Sequence, residues 1–169
     1  DGGFVENIIV DSLQSINNGN VIFLRIGERR EGLKGRMENI TISNLYAEVP
    51  ATKPDAGYNY EGPVEENPRN ISPSSIVGMP DVPIKNVKLK NIEIVMPGGG
   101  DPFYARVGLD ELDKVPELGD KYPEFSMFKE LPAWGFYIRH AENIEFENVT
   151  LRCMEEDYRT AIVLDDVHN

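Results

Sequence analysis

Four stretches of this chain repeat one pattern, and that repetition limits the fold more than any other feature. Glu6–Leu13, Glu38–Leu45, Lys85–Ile92 and Glu142–Val149 read charged, Asn, apolar, polar, apolar, polar, Asn or Ser, apolar, with Ile9 standing at one of the polar positions. Alternation at period two is the signature of a strand with one face buried. The second Asn, or Ser12 in the first stretch, comes five positions after the first Asn and ends the alternation. Asn tolerates the left-handed and bridge conformations that turn a chain sharply. Asn44, Asn91 and Asn148 are therefore expected to line up along one corner as a hydrogen-bonded ladder.

A second class of strand lies between the repeats. Val21–Arg25, Phe136–Arg139 and Ala161–Asp165 are short apolar runs ending in a charge. Placing Ile22, Leu24, Ile138, Ile162 and Leu164 inward leaves Phe23, Tyr137 and Val163 as one outward column and Arg25, Arg139 and Asp165 as another. Rungs this thin cannot bury their own apolar face, whereas stacked rungs share a continuous core. A sandwich would show tight Asn-Gly or Asp-Gly hairpin turns between strands, and none joins these repeats. A leucine-rich repeat lacks its Leu-x-x-Leu-x-Leu frame here. Only Val107–Val115 has the makings of a short helix. The expected fold is all-β: a right-handed parallel β-helix, or solenoid, forming one domain over residues 1–169.

Two long loops interrupt the stack, at about 48–83 and 97–132. The first holds Tyr58 and Tyr60. The second opens with Gly98-Gly99-Gly100 and carries Phe103, Tyr104, Tyr122, Phe125 and Phe128. Loops of this length in a compact domain usually have a function. Their aromatics suit either a minicore or platforms for sugar rings.

The net charge of −12 argues against nucleic acid as a partner, because binding a polyphosphate needs a cationic face. Against this acidic background Arg25, Arg29, Arg30, Lys34 and Arg36 crowd one short window. That window is either a solvated loop balanced by Glu28 and Glu31 or an anchor for an acidic ligand. No apolar run has the length to cross a bilayer. The single Cys153 rules out an internal disulfide framework, and no cluster of ligand residues suggests a metal or other cofactor. His140 falls on the inward side of its strand by alternation and is expected to be a satisfied structural histidine. The opening Asp1-Gly2-Gly3-Phe4 reads as mid-domain sequence, so a trimmed product is expected. Its bare coil end near Phe4–Val10 would either meet a missing N-terminal piece or self-associate.

Several segments resemble the polygalacturonase family of pectin-degrading glycoside hydrolases, in its bacterial form and its C-terminal part. They are Gly19–Ile26 with Gly35–Asn44, then Pro73–Gly78, Tyr122-Pro123-Glu124, Leu131–His140 and Ala161–Val167. The resemblance implies inverting hydrolysis between uronic acid units, with separated carboxylates as acid and base. It also implies a secreted or periplasmic setting. Arg25 and Ile26 match the family's Arg-Ile-Lys motif, but Gly27 stands where the Lys belongs. The family's Asn-Thr-Asp and His-Gly motifs do not occur, so no catalytic residue is assigned and the chain alone is expected to be inactive. Asp165-Asp166 lies too late in the chain to replace them. The candidate contacts to a pectic oligo- or polysaccharide are Arg25, Arg29, Arg30, Tyr58, Tyr60, Tyr137 and Arg139. The alternative is a non-catalytic module of the same fold that binds or assembles on acidic glycans. A lyase of similar architecture would need calcium-binding acids, which the sequence does not offer.

Overall fold

The computed structural model describes residues 2–52, 72–100, 107–122, 124–128 and 131–169. These build one seven-stranded sheet in which every strand pairing is parallel. The strands are β1 (Phe4–Ile16), β2 (Phe23–Arg25), β3 (Arg36–Glu48), β4 (Ser74–Val77), β5 (Ile84–Gly98), β6 (Ala133–Glu155) and β7 (Thr160–His168). No α-helix occurs among the described residues. The helix expected over Val107–Val115 is a single 3₁₀ turn at Leu112–Lys114, and a second such turn spans Phe125–Phe128.

The sheet is curled because its long strands bend at fixed positions. Asn7, Asn39, Asn86 and Asn143 all have φ between 54° and 58°, and Ser12, Asn44, Asn91 and Asn148 have φ between 52° and 59°. Each Asn pair therefore brackets a four-residue straight segment, such as Ile40–Ser43, and another straight segment follows the second Asn. Stacking is in register: Ile8, Ile40, Val87 and Ile144 form one column, and Leu13, Leu45, Ile92 and Val149 another.

The expected Asn ladder is present. Asn91 donates to Asn44 at 3.0 Å and Asn148 to Asn91 at 2.9 Å, while Asn44 donates to Asp11 at 2.8 Å. A second ladder runs through the first Asn of each repeat: Asn39 to Asn7 at 3.3 Å, Asn86 to Asn39 at 2.9 Å and Asn143 to Asn86 at 3.0 Å. Both ladders satisfy amides at corners where the backbone has left its straight path.

β6 makes the third bend. Its first part, Phe136–Arg139, pairs with β4 and β7, whereas Ala141–Glu155 pairs with β5. His140 stands between these parts at φ 50°. It is a corner residue and not an inward strand residue, because alternation restarts wherever φ turns positive.

The interior is one apolar cluster. Ile22, Ile76, Phe136 and Ile138 come from the short-strand wall, and Ile40, Leu89, Ile92 and Ile94 from the long strands. Phe136 and Phe146 meet edge to face at 5.3 Å across the corner. Each such side chain contributes roughly 1.5–3 kcal/mol by leaving water. Ile162 and Leu164 continue the inward columns of Phe136 and Ile138, yet they stay 39% and 58% exposed because β7 is the last strand on that side. At the other end β1 leaves Phe4, Val5, Ile9 and Ile16 exposed.

One expectation about the loops is corrected. Ser74–Val77, inside the stretch 48–83, is a full rung between β2 and β6. The stretch is therefore not one uninterrupted loop.

Candidate functional site

The short-strand wall presents its outward side chains in straight columns. Phe23, Ser75, Tyr137 and Val163 make one, and Arg25, Val77, Arg139 and Asp165 make the next. The columns expected from sequence are therefore present, with β4 adding a member to each. They do not face open solvent. The segment between β5 and β6 crosses over them, and Val115, Phe128 and Leu131 pack with Val77, Tyr137 and Val163 into a second apolar cluster. In that segment the minicore role holds for Phe128.

Tyr137 is fully buried, and its hydroxyl donates to Asp165 Oδ2 at 3.0 Å. Burial pushes its phenol well above the ordinary range. It is not placed to stack on a ligand.

Arg139 is spent within the chain. Its Nη1 donates to the carbonyl of Val115 at 2.6 Å, and its Nη2 pairs with Glu117 Oε1 at 2.9 Å. Its Nε lies 3.1 Å from Asp165 Oδ2 but is not aligned for a hydrogen bond.

Arg25 differs. It is only 9% exposed, and Nη2 donates to the carbonyls of Glu117, at 2.8 Å, and Leu118. Its guanidinium sits 4.4 Å from the centroid of the Phe128 ring, a favourable cation–π arrangement. Its Nε and Nη1 are buried with no hydrogen-bond partner among the described residues. Burial pulls the guanidinium down from its ordinary value, and the charge of Glu117 works in the opposite direction. A guanidinium nevertheless keeps its proton, so two nitrogens carrying three N–H bonds are left without an acceptor among the described residues. Arg25 also lines a pocket of about 130 Å³, together with Gly3, Val5, Gly27, Gly35 and Arg36.

Gly27 and Gly35 shape that pocket for steric reasons. A Cβ on Gly35 would sit 2.7 Å from the carbonyl oxygen of Gly3, and one on Gly27 would sit 3.2 Å from that of Gly119. The Gly119 carbonyl also accepts the Glu28 N–H at 2.7 Å. A side chain at position 27 would therefore press on the crossing segment.

Of the remaining basic residues of the window, Arg36 lines the pocket and Arg29, Arg30 and Lys34 do not. Arg29 and Arg30 are exposed, and Arg29 lies 4.9 Å from the Tyr122 ring centroid. Lys34 pairs with Asp81 and Glu28, and Arg36 with Glu6 while lying 4.8 Å over the Phe4 ring. Tyr58 and Tyr60 lie outside the described residues. A second, more open groove of about 400 Å³ runs beside the Asn44–Asn91–Asn148 ladder, flanked by Tyr46, Glu93 and Thr150. No group of three or more His, Cys, Asp or Glu residues with metal-binding geometry occurs among the described residues.

Sequence reasoning missed the residues that hold the crossing segment down. Asp157 and Arg159 form a buried ion pair at 2.9 Å, and Asp157 also accepts the Gly100 N–H at 3.0 Å. Glu117 reaches both Arg139 and His140, while Asp166 lies between His140 and His168. None of these follows a period or a spaced motif; Glu117, Asp157 and Arg159 lie outside the strands, and the way the crossing segment lies on the stack brings them to their partners. Compared with family models, curated proteins and solved structures, the chain matches none of them.

Proposed function

We propose that this chain is a right-handed parallel β-helix from a polygalacturonase-like hydrolase, and that its part in the parent is to grip an acidic sugar unit through Arg25. The curled parallel sheet with in-register columns supports the solenoid reading. The observation that carries the binding role is that Arg25, two of whose guanidinium nitrogens have no partner among the described residues, is also a lining residue of a pocket. Leaving a buried donor without a partner costs about 1–3 kcal/mol, and more for a charged group. A structure that keeps two of them has a reason, and a carboxylate is the group that matches a guanidinium in two-point geometry. Arg36 at the pocket rim adds a second positive charge.

In this reading the carboxylate of a uronic acid unit takes the vacant donors, and the catalytic acids come from sequence other than this chain. The parent then works on pectic glycans outside the cytoplasm. Because the chain as a whole is acidic, attraction of a polyanion is local and short in range.

The test is calorimetric titration with oligogalacturonate at low and high salt, alongside an assay for new reducing ends. Salt-sensitive binding that Arg25→Ala abolishes, with no turnover, is the expected result. No binding, or binding equally strong in Arg25→Ala, would overturn the role of Arg25. Release of reducing ends by the chain alone would overturn the assignment of catalysis to residues elsewhere.

A further inference from the structure

The His140 ring is 7% exposed and lies between two carboxylates that come from different parts of the fold. Its Nδ1 is 2.6 Å from Asp166 Oδ2 on β7, and its Nε2 is 3.1 and 3.2 Å from the two oxygens of Glu117 in the crossing segment. An ionised carboxylate only accepts hydrogen bonds, and a neutral imidazole has a single N–H. With a neutral ring, one side of this sandwich would set a lone pair against a carboxylate in a buried place.

Glu117, Asp165 and Asp166 supply three carboxylates around Arg139 and His140, and His168 Nε2 lies 2.9 Å from Asp166 Oδ1. The neighbouring rung offers only backbone here, since a Cβ on Gly78 would meet the His140 carbonyl oxygen at 2.4 Å. The carboxyl of Asp166 is held below its ordinary range by its hydrogen bonds to His140 and His168, which keeps it an acceptor.

We propose that the segment Val115–Gly119 is latched onto the stack by a proton on His140: closed while both ring nitrogens carry hydrogen, looser once one is lost. The same five residues supply the carbonyls of Val115, Glu117 and Leu118 to Arg139 and Arg25. Losing the imidazolium takes away one of the two cationic partners of Glu117, the other being Arg139, and so weakens the hold on the short stretch that covers both guanidinium groups. Rising pH therefore uncovers a pair of arginines that stand two rungs apart, about 9–10 Å at the usual strand spacing. This inference does not depend on which anion, if any, those arginines bind.

The full chain is labelled with ¹³C,¹⁵N-histidine and its ring signals followed from pH 5 to pH 9. The chain has two histidines, and His168→Asn removes the other one. Amide exchange is measured on the same samples and corrected for intrinsic rates. The expected result is a doubly protonated His140 wherever the Glu28 amide, which donates to the Gly119 carbonyl of this segment, is protected. Protection of that amide then falls at least tenfold as the ring loses a proton, while Leu89 and Ile138 do not change. In Glu117→Gln the carboxamide can donate to a bare Nε2 or accept from a protonated one, so protection there becomes independent of pH. A singly protonated ring while the Glu28 amide is protected, or the same pH dependence in Glu117→Gln as in the unaltered chain, would overturn the proposal.

Discussion

Asn91 donates its side-chain amide to Asn44 Oδ1 across 3.0 Å while its own backbone sits at φ 52°. One residue type thus meets two demands at each corner: a conformation that L-residues resist, and an amide that bonds to the rung before it. The two demands can be separated. Asn91→Ala loses both and is expected to lower stability by about 2–3 kcal/mol, while Asn91→Gly keeps the conformation, loses the ladder bond and costs about 1 kcal/mol less. Urea unfolding of the two variants measures the difference, and equal losses would show that the backbone conformation contributes nothing.

The interior and the solvent face of the long strands respond differently to truncation. Leu89 is fully buried in the central column, so Leu89→Ala is expected to cost about 2–5 kcal/mol. Ile9 is 78% exposed, and Ile9→Ala is expected to stay within about 0.5 kcal/mol. Denaturation midpoints at equal protein concentration provide the comparison.

Asp157 and Arg159 are buried together where the crossing segment begins and ends. Burial pushes the Asp157 carboxyl up, but its hydrogen bonds to Arg159 outweigh that and hold it below the ordinary value. A folded-state pKa below the unfolded one adds stability above the unfolded pKa, and that stability is lost as pH falls through the folded value. Asp157→Asn is therefore expected to cost about 3–5 kcal/mol at neutral pH, because it strands the arginine. The gap to the unaltered chain should shrink below about pH 4. Acid titrations followed by circular dichroism will show whether the two curves converge.

β1 is a sheet edge with apolar side chains on both of its faces, Val5 and Ile8 on one and Ile9 on the other. Unprotected edges of this kind template further strand pairing. Light scattering should show association that grows with concentration and is reduced in Ile9→Lys, which puts a gatekeeping charge on the outer face. A monodisperse chain at high concentration would contradict this.

Much of the architecture was legible because stacking repeats it. The outward columns of Phe23, Tyr137 and Val163, and of Arg25, Arg139 and Asp165, follow from alternation alone. The ladder at Asn44, Asn91 and Asn148 follows from the spacing. The second ladder at Asn7, Asn39, Asn86 and Asn143 carried the same signal, since Asn stands second in all four repeats. β4 was hidden because Ser74 and Ser75 are polar residues in buried positions behind a proline. The enclosure of Arg25, Tyr137 and Arg139 was not legible. It depends on where an aperiodic segment comes to rest, and that is set by side chains such as Glu117 and Asp157, which belong to no repeat.

β6 touches more of the molecule than any other strand, since it pairs with β4, β5 and β7 and turns from one wall to the next at His140. The two walls therefore share a covalent seam. Melting of one wall at β6 pulls on the other, so the rungs that pair with β6 should unfold together, while the edge strand β1, which pairs only with β3, can open separately.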